Sequence, residues 1–254
     1  MFADLLQSIS SFFFPPSCIS CSSLIDVNNE DCLCKDCRAR WEYAKISVRN
    51  SFSGEPVIPV QIKGNMRTLD SFIASLVNYR QNTLKPDFNV QRQLIFKLKR
   101  YNYSRMIDFF TEELADLIEN VTDCEFDPDR TVFISMPRNP MNYINTMNDG
   151  VREVTKALAD EFGCKYLNAF SKSLFAKEQK YLSRRERKLN GSKLRLNNKA
   201  FENTKFKTAF IIDDVVTTGS TVTEAARLLV NETKVRNIYI FSIAQNSDTL
   251  IRKL

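Results

Sequence analysis

The chain of 254 residues contains no histidine. That absence excludes Ser-His-Asp and Cys-His nucleophilic schemes and every His-ligated metal site. Any catalysis must rest on carboxylates, Lys and Arg, backbone dipoles, hydroxyls or a metal carried by the substrate. No apolar run approaches the ~20 residues of a membrane span. A Gly-x-x-x-x-Gly-Lys-Ser/Thr phosphate loop is absent too, which rules out a Walker-type site. The apolar stretch Met1–Phe14 has Asp4 but neither Lys nor Arg, so it lacks the basic start of a secretory signal. It reads as a short amphipathic helix, and the expectation is a cytoplasmic protein.

What is present describes an ordinary globular protein: 43% hydrophobic and 26% charged residues, a chain long enough for one large domain or two smaller ones. The net charge of +6 is compatible with a polyanionic ligand or nucleic acid, and equally with a solvated basic surface.

The organising stretch is Ala209–Thr221. Phe210–Ile212 reads as a short buried strand, and Asp213 and Asp214 stand where it runs out. A turn of small hydroxyl residues around Gly219 follows. Thr221 and Glu224 fit a capping box, and Val222, Ala225, Ala226, Leu229 and Val230 fall on one helical face. Strand, acidic pair, turn and helix N-terminus make an anion site suited to a phosphate monoester. The carboxylates before it can accept bonds from sugar hydroxyls or help hold hydrated Mg²⁺.

This arrangement resembles the 5-phosphoribosyl-1-pyrophosphate (PRPP) motif of the type I phosphoribosyltransferases over its whole length, from apolar strand to Thr217-Thr-Gly-Ser-Thr221. The resemblance implies that Asp213 and Asp214 hold the ribose hydroxyls and serve catalysis. It also implies that Val216, Thr217, Thr218, Gly219, Ser220 and Thr221 wrap the 5-phosphate.

Upstream, Cys18-x₂-Cys21 and Cys34-x₂-Cys37 form two knuckles, with Cys32 a spare thiol nearby. Four such thiolates fit a closed tetrahedral, structural Zn²⁺ site; a disulfide pair is the alternative, disfavoured by a reducing compartment. Cys124 and Cys164 stand alone and read as buried structural residues. Phe14-Pro-Pro-Ser-Cys-Ile-Ser-Cys21 followed by the second Cys pair resembles the start of the ComF competence-protein family, whose members join a zinc ribbon to a phosphoribosyltransferase-like domain.

Further along, Leu69–Tyr79 is expected to be a helix with Leu69, Phe72, Ile73 and Leu76 on one face, and residues 51–92 a link. Leu94–Tyr101 looks like the element that opens the transferase domain in ComF-like proteins; Lys99 is either a pyrophosphate contact or an exposed helix-end lysine. Helices are expected over Met106–Ile118 and Val151–Phe162, the second closed by Gly163, with strands at Thr131–Ser135 and Val235–Ile243. Arg138, after the first of these strands, can offer a planar fork to phosphate oxygens. ComF-like proteins continue there into a basic segment, yet Asn139–Gly150 holds no Lys or Arg.

The most basic run, Lys172–Arg195, contains Gln179, Leu182, Arg187 and Asn190, which resemble the flexible-loop pattern of the ComF family. A loop that closes over substrate, a solvated basic face and a nucleic-acid contact are all compatible with it.

The expectation is therefore an α/β protein: a Cys₄ ribbon (1–50), a link (51–92) and a type I phosphoribosyltransferase-like domain (93–254) with a mainly parallel sheet flanked by helices. Its implied function is Mg²⁺-dependent phosphoribosyl transfer from PRPP to an unidentified acceptor, linked to competence. The alternative is a non-catalytic PRPP- or nucleotide-binding protein that handles single-stranded DNA or meets DNA-uptake proteins.

Overall fold

The computed structural model describes residues 16–26, 31–50, 57–79, 89–101, 103–139, 143–144, 146–172 and 194–246. The helix expected over Met1–Phe14 lies outside them.

Helix α1 (Lys35–Asn50) leads to the strands β1 (Val57–Lys63) and β2 (Thr68–Asn78), then helices α2 (Val90–Arg100) and α3 (Ser104–Val121). Strand β3 (Thr131–Ser135), helix α4 (Gly150–Glu161) and strand β4 (Lys165–Leu167) follow. A small hairpin of β5 (Phe170–Lys172) and β6 (Leu194–Leu196) precedes strand β7 (Thr208–Val216), helix α5 (Ser220–Glu232) and strand β8 (Asn237–Gln245).

The main sheet has the order β1-β2-β8-β7-β3-β4. Its pairings are parallel except for β1, which runs antiparallel to β2 at the edge. Alternation along β7 divides the core: Phe210 and Ile212 pack with the side of α1 to α4, while Ala209 and Ile211 pack with α5 and the β5–β6 hairpin. Both faces of the sheet are thus covered, which is why its central strands read as unbroken apolar runs.

Leu69–Tyr79 is the correction. The helix expected there is strand β2, paired parallel with β8 through Ile73–Ile240 and Ala74–Phe241. Residues Ile73–Val77 are buried without interruption, so the period of two is erased and the apolar positions coincide with helical spacing. Pro59 sits inside β1, where an edge strand tolerates its missing N–H. The helices expected over Met106–Ile118 and Val151–Phe162 and the strands at Thr131–Ser135 and Val235–Ile243 are present, with Gly163 taking the left-handed conformation just past α4.

The Cys-bearing segment packs into the same core as the sheet. Trp41 is fully buried against Phe109 (5.3 Å) and Phe110 (6.0 Å) of α3. Arg38 forks onto Asp31 at 2.6 and 2.7 Å and reaches Glu113 at 2.8 Å, with Lys45 on the other Glu113 oxygen at 2.9 Å. From α2, Lys97 Nζ donates to the Ile19 and Ser20 carbonyls at 3.0 and 2.6 Å, inside the first knuckle.

Candidate functional site

Chain order sets the position of the site. From β3 the chain passes through α4 to β4 on one side, whereas from β7 it passes through α5 to β8 on the other. Between the carboxyl ends of β3 and β7 the order therefore reverses, and a crevice opens where ligands of such sheets bind. A cleft of about 220 Å³ lies there, walled by Met136–Asn139 after β3, Asp149–Val151 at the start of α4, Asp213 and Asp214 of β7, Lys99 of α2 and Lys172 of β5.

The acidic pair belongs to the strand itself. Strand β7 continues to Val216, so Asp213 and Asp214 are held by its ladder, Asp213 opposite Ser242. Asp214 Oδ2 accepts an ion pair from Lys99 Nζ at 3.0 Å, and Asp213 Oδ1 accepts the Asp214 amide at 2.9 Å. Asp213 keeps a strip open to the cleft but is ringed by protein. Burial, joined by the repulsion of Asp214, pushes its pKa up to about 7, against weaker opposing pulls from Lys172, the Asp214 amide and Lys99. The site thus holds one carboxylate paired with a lysine and a neighbour whose pKa is lifted toward neutrality.

The loop that follows differs in one detail from the expected capping box. Helix α5 begins at Ser220, its N-cap is Gly219 with φ 70°, and no side chain caps it. Glu224 instead pairs with Arg227 at 2.7 Å. A left-handed residue is needed at this turn, which glycine supplies without steric cost. An N-cap without a side chain, in a helix with no acidic residue in its first turn, leaves the dipole without a countercharge, while the Ser220 amide meets Thr218 Oγ1 at 3.4 Å. Thr217, Ser220 and Thr221 are exposed, Thr218 Oγ1 lies 2.8 Å from Ser220 Oγ, and Val216 is buried beneath them. The loop lies outside the walls of the 220 Å³ cleft, so the hydroxyl-lined loop and the carboxylate cleft adjoin along one chain segment.

Arg138 reaches the cleft but its Nη1 donates to Thr146 Oγ1 at 2.8 Å and to the Asn148 carbonyl. It fastens the turn before α4. Asn148 Nδ2 in turn donates to Leu98 O at 2.8 Å, and Asp149 caps α4 by accepting the Arg152 amide. Burial raises the Asp149 pKa, partly opposed by Arg152. Gln179, Arg187 and Asn190 lie outside the described residues. Asn139, Asp149 and Lys172 line the cleft without having been singled out in the sequence. Only Lys172 left a trace there, as the first cation of the basic run.

The second candidate site is the Cys cluster. The Sγ atoms of Cys18, Cys21, Cys34 and Cys37 all lie within 4.8 Å of one another, with Cys21 and Cys34 at 3.7 Å. Four thiolates at ~2.3 Å from a tetrahedral Zn²⁺ would be about 3.8 Å apart, so donor set and spacing fit that ion. Burial raises the Cys21 thiol, but hydrogen bonds from the Ser23 hydroxyl and amide and from Cys18 and Cys34 outweigh it and bring the pKa down to about 6. Cys32 is different: burial, with Asp31 nearby, pushes it up to about 12, as suits an inert thiol. Cys124 and Cys164 are half-buried, short of the full burial expected, and burial raises both.

Fold and site together define a phosphoribosyltransferase-like α/β protein. Residues 151–253 match the phosphoribosyl transferase domain family, a stretch that includes nearly all of α4, then β7, the Thr217–Thr221 loop, α5 and β8. Among solved structures, the chain is similar to an adenine phosphoribosyltransferase at 11% identity, covering 85% of this chain and 95% of that one, with a TM-score of 0.33. An adenine phosphoribosyltransferase from Leishmania donovani aligns at 10% identity over 75% of this chain and 87% of that one, with a TM-score of 0.28. At such scores neither bears on what this chain acts upon. No curated protein matches the chain in sequence. Among the described residues no helix is long and apolar enough to cross a membrane.

Proposed function

We propose that this protein binds PRPP and, with Mg²⁺, transfers its phosphoribosyl group to an acceptor, as a cytoplasmic member of the ComF family linked to competence. The observation that supports this reading most is the junction at the end of β7: two adjacent carboxylates run directly into a helix N-terminus opened by Gly219. In the proposed complex the 5-phosphate rests on the amides after Gly219 and the hydroxyls of Thr217, Thr218, Ser220 and Thr221. The ribose hydroxyls bond to Asp213 and Asp214, and Arg138 and Lys99 face the diphosphate.

The cleft holds oxygen donors suited to a hydrated Mg²⁺ in Asp213 and Asp214, and that ion, when bound, supplies charge neutralisation on the diphosphate. During transfer the ribose C1–O bond breaks with both electrons leaving on diphosphate. The acceptor's lone pair forms the new bond at C1, and its proton passes to water. Asp213 and Asp214 orient the sugar and offset positive charge developing on the ring. At the N-terminal side, Zn²⁺ would be held by Cys18, Cys21, Cys34 and Cys37 as a closed structural ion, a reading supported by the mutual spacing of the four thiols.

Calorimetric titration with PRPP, with and without Mg²⁺, tests the first part. Saturable binding lost in Asp213→Asn is expected, and no binding at millimolar ligand would overturn it.

A second reading, PRPP or nucleotide binding without turnover in a protein that handles single-stranded DNA, is favoured by one observation. Asn139–Gly150 carries no cation, and Arg138 before it is engaged with Thr146 and Asn148. Diphosphate release on addition of candidate bases would exclude this reading. Salt-sensitive single-strand binding weakened by neutralising Arg184 and Arg185 would support it.

A further inference from the structure

Helix α2 sends Val90, Leu94, Ile95 and Leu98 into the core. Arg92, Phe96 and Arg100, four residues apart, therefore stand in an exposed row on its outer side. Phe96 is 50% exposed, and the Arg100 guanidinium lies over its ring at 4.3 Å. Past the helix end Tyr101 and Tyr103, 44% and 52% exposed, stack on each other with ring centres 5.5 Å apart. Residues 90–107 carry five cations and neither Asp nor Glu. Two of the five are turned to other tasks: Lys97 to the Ile19 and Ser20 carbonyls, Lys99 to Asp214. The other three are Arg92 and Arg100, both exposed, and Arg105, which touches the Ser17 carbonyl at 3.4 Å. Tyr103 and Arg105 also border a hollow of about 430 Å³ beside the first Cys knuckle, and no carboxylate is among the described residues that wall it.

Exposed rings already stacked, with guanidinium groups between them and no acid along the segment, suit a polyanion whose units also carry flat faces. A single strand of nucleic acid is such a partner. We infer that the outer face of α2 and its junction with α3 bind single-stranded nucleic acid, at a site separate from the cleft and from the basic run Lys172–Arg195; the inference rests on the single-strand reading given above. Bases stack on Phe96 and on the Tyr101–Tyr103 pair, while phosphates meet Arg92, Arg100 and Arg105. Rings held in place beforehand lower the entropy cost of ordering each base. A duplex keeps its bases stacked inside and can use the cations alone. A membrane surface fits less well, because the apolar residues of α2 that would enter lipid are buried in the core.

The experiment follows the fluorescence anisotropy of labelled oligothymidylate and oligouridylate of about 15 nucleotides on the full-length, zinc-loaded protein. A duplex of the same length and phosphatidylserine vesicles are run alongside. Phe96→Ala and Tyr103→Ala should each weaken the single strands by about 5- to 100-fold and the duplex by less than about twofold. Arg92→Gln and Arg100→Gln should each lower the slope of log affinity against log salt by about 0.7. Tyr103→Phe, which keeps the ring, should bind like the parent, and circular dichroism and zinc content should match in all variants. The tighter of the two strands identifies DNA or RNA as the ligand. Binding lost on neutralising Arg184 and Arg185 but unchanged in every α2 variant would overturn this surface and leave the single-strand reading standing. No binding by the parent even at low salt would overturn both. Equal loss of duplex and single strand in Phe96→Ala and Tyr103→Ala would mark the rings as structural and overturn their assignment. Vesicle binding lost in those variants while oligonucleotide binding stays would assign the face to a membrane instead.

Discussion

Lys99 Nζ lies 3.0 Å from Asp214 Oδ2, so half of the acidic pair already has a counter-ion before any ligand arrives. The other half does not. Asp213 carries the cost of adjacency, and burial with the charge of Asp214 lifts its pKa to about 7. Several measurable consequences come from that asymmetry and from the elements that hold it.

In the proposed complex Mg²⁺ and PRPP meet Asp213 as a carboxylate, so affinity should rise with pH by up to about tenfold per unit below pH 7 and level off above it. Titrations between pH 5.5 and about 8.5 would display the bend.

Stability runs the other way. An acid whose pKa rises from 3.8 to about 7 on folding keeps its proton in the native state while the unfolded chain has lost it. Stability is therefore highest below the unfolded value, falls as pH rises through that window, and stays lower above about 7. Asp213→Asn should remove this slope and stabilise the ligand-free protein at pH ~8 by about 1–3 kcal/mol, read as a rise in Tm.

Gly219 stands at φ 70° at the head of α5. Gly219→Ala should cost about 1 kcal/mol through left-handed strain alone. It should also weaken ribose 5-phosphate by several-fold, since the turn into α5 depends on the left-handed residue. Thermal melts and calorimetry separate the two effects.

Gly150 is constrained by contact. A Cβ there would fall 2.4 Å from Leu98 O, the same carbonyl that accepts from Asn148 Nδ2. Gly150→Ala should destabilise the protein by about 1–3 kcal/mol and weaken PRPP, because α4 and the turn fastened by Arg138 must move away from α2.

Trp41 is the single tryptophan, and it is fully buried beside the segment that carries the thiol cluster. Removing zinc with a chelator, or replacing Cys37 with Ser, should shift its emission to the red and lower Tm. Mass spectrometry under native conditions should give one zinc per chain before treatment and none after.

Much of this was legible in the chain. The strand before Asp213, the apolar face of α5 and the helices bounded by Met106 and Val151 follow from periodicity and punctuation, which are local signals. Leu69–Tyr79 misled for a physical reason: a strand buried on both faces loses its alternation, and its chance spacing fits a helix. Thr221 looked like an N-cap because Glu224 follows at the right interval, yet the backbone turns at Gly219 and Glu224 finds Arg227. Lys172 could not be singled out from its basic neighbours, since only the packing of the β5–β6 hairpin beside the main sheet carries it to the cleft. Arg138 lines the cleft, and its bonds to Thr146 and Asn148 depend on a turn that no spacing rule announces.

Helix α2 holds Ile19 and Ser20 through Lys97 and Asp214 through Lys99, two residues apart on one rigid rod. Whatever free energy ties that rod to one end must be felt at the other, and such linkage is reciprocal. A protein saturated with PRPP should therefore give up its zinc to a chelator more slowly than the free protein. The escape of metal becomes a clock for the occupancy of a cleft the metal never touches.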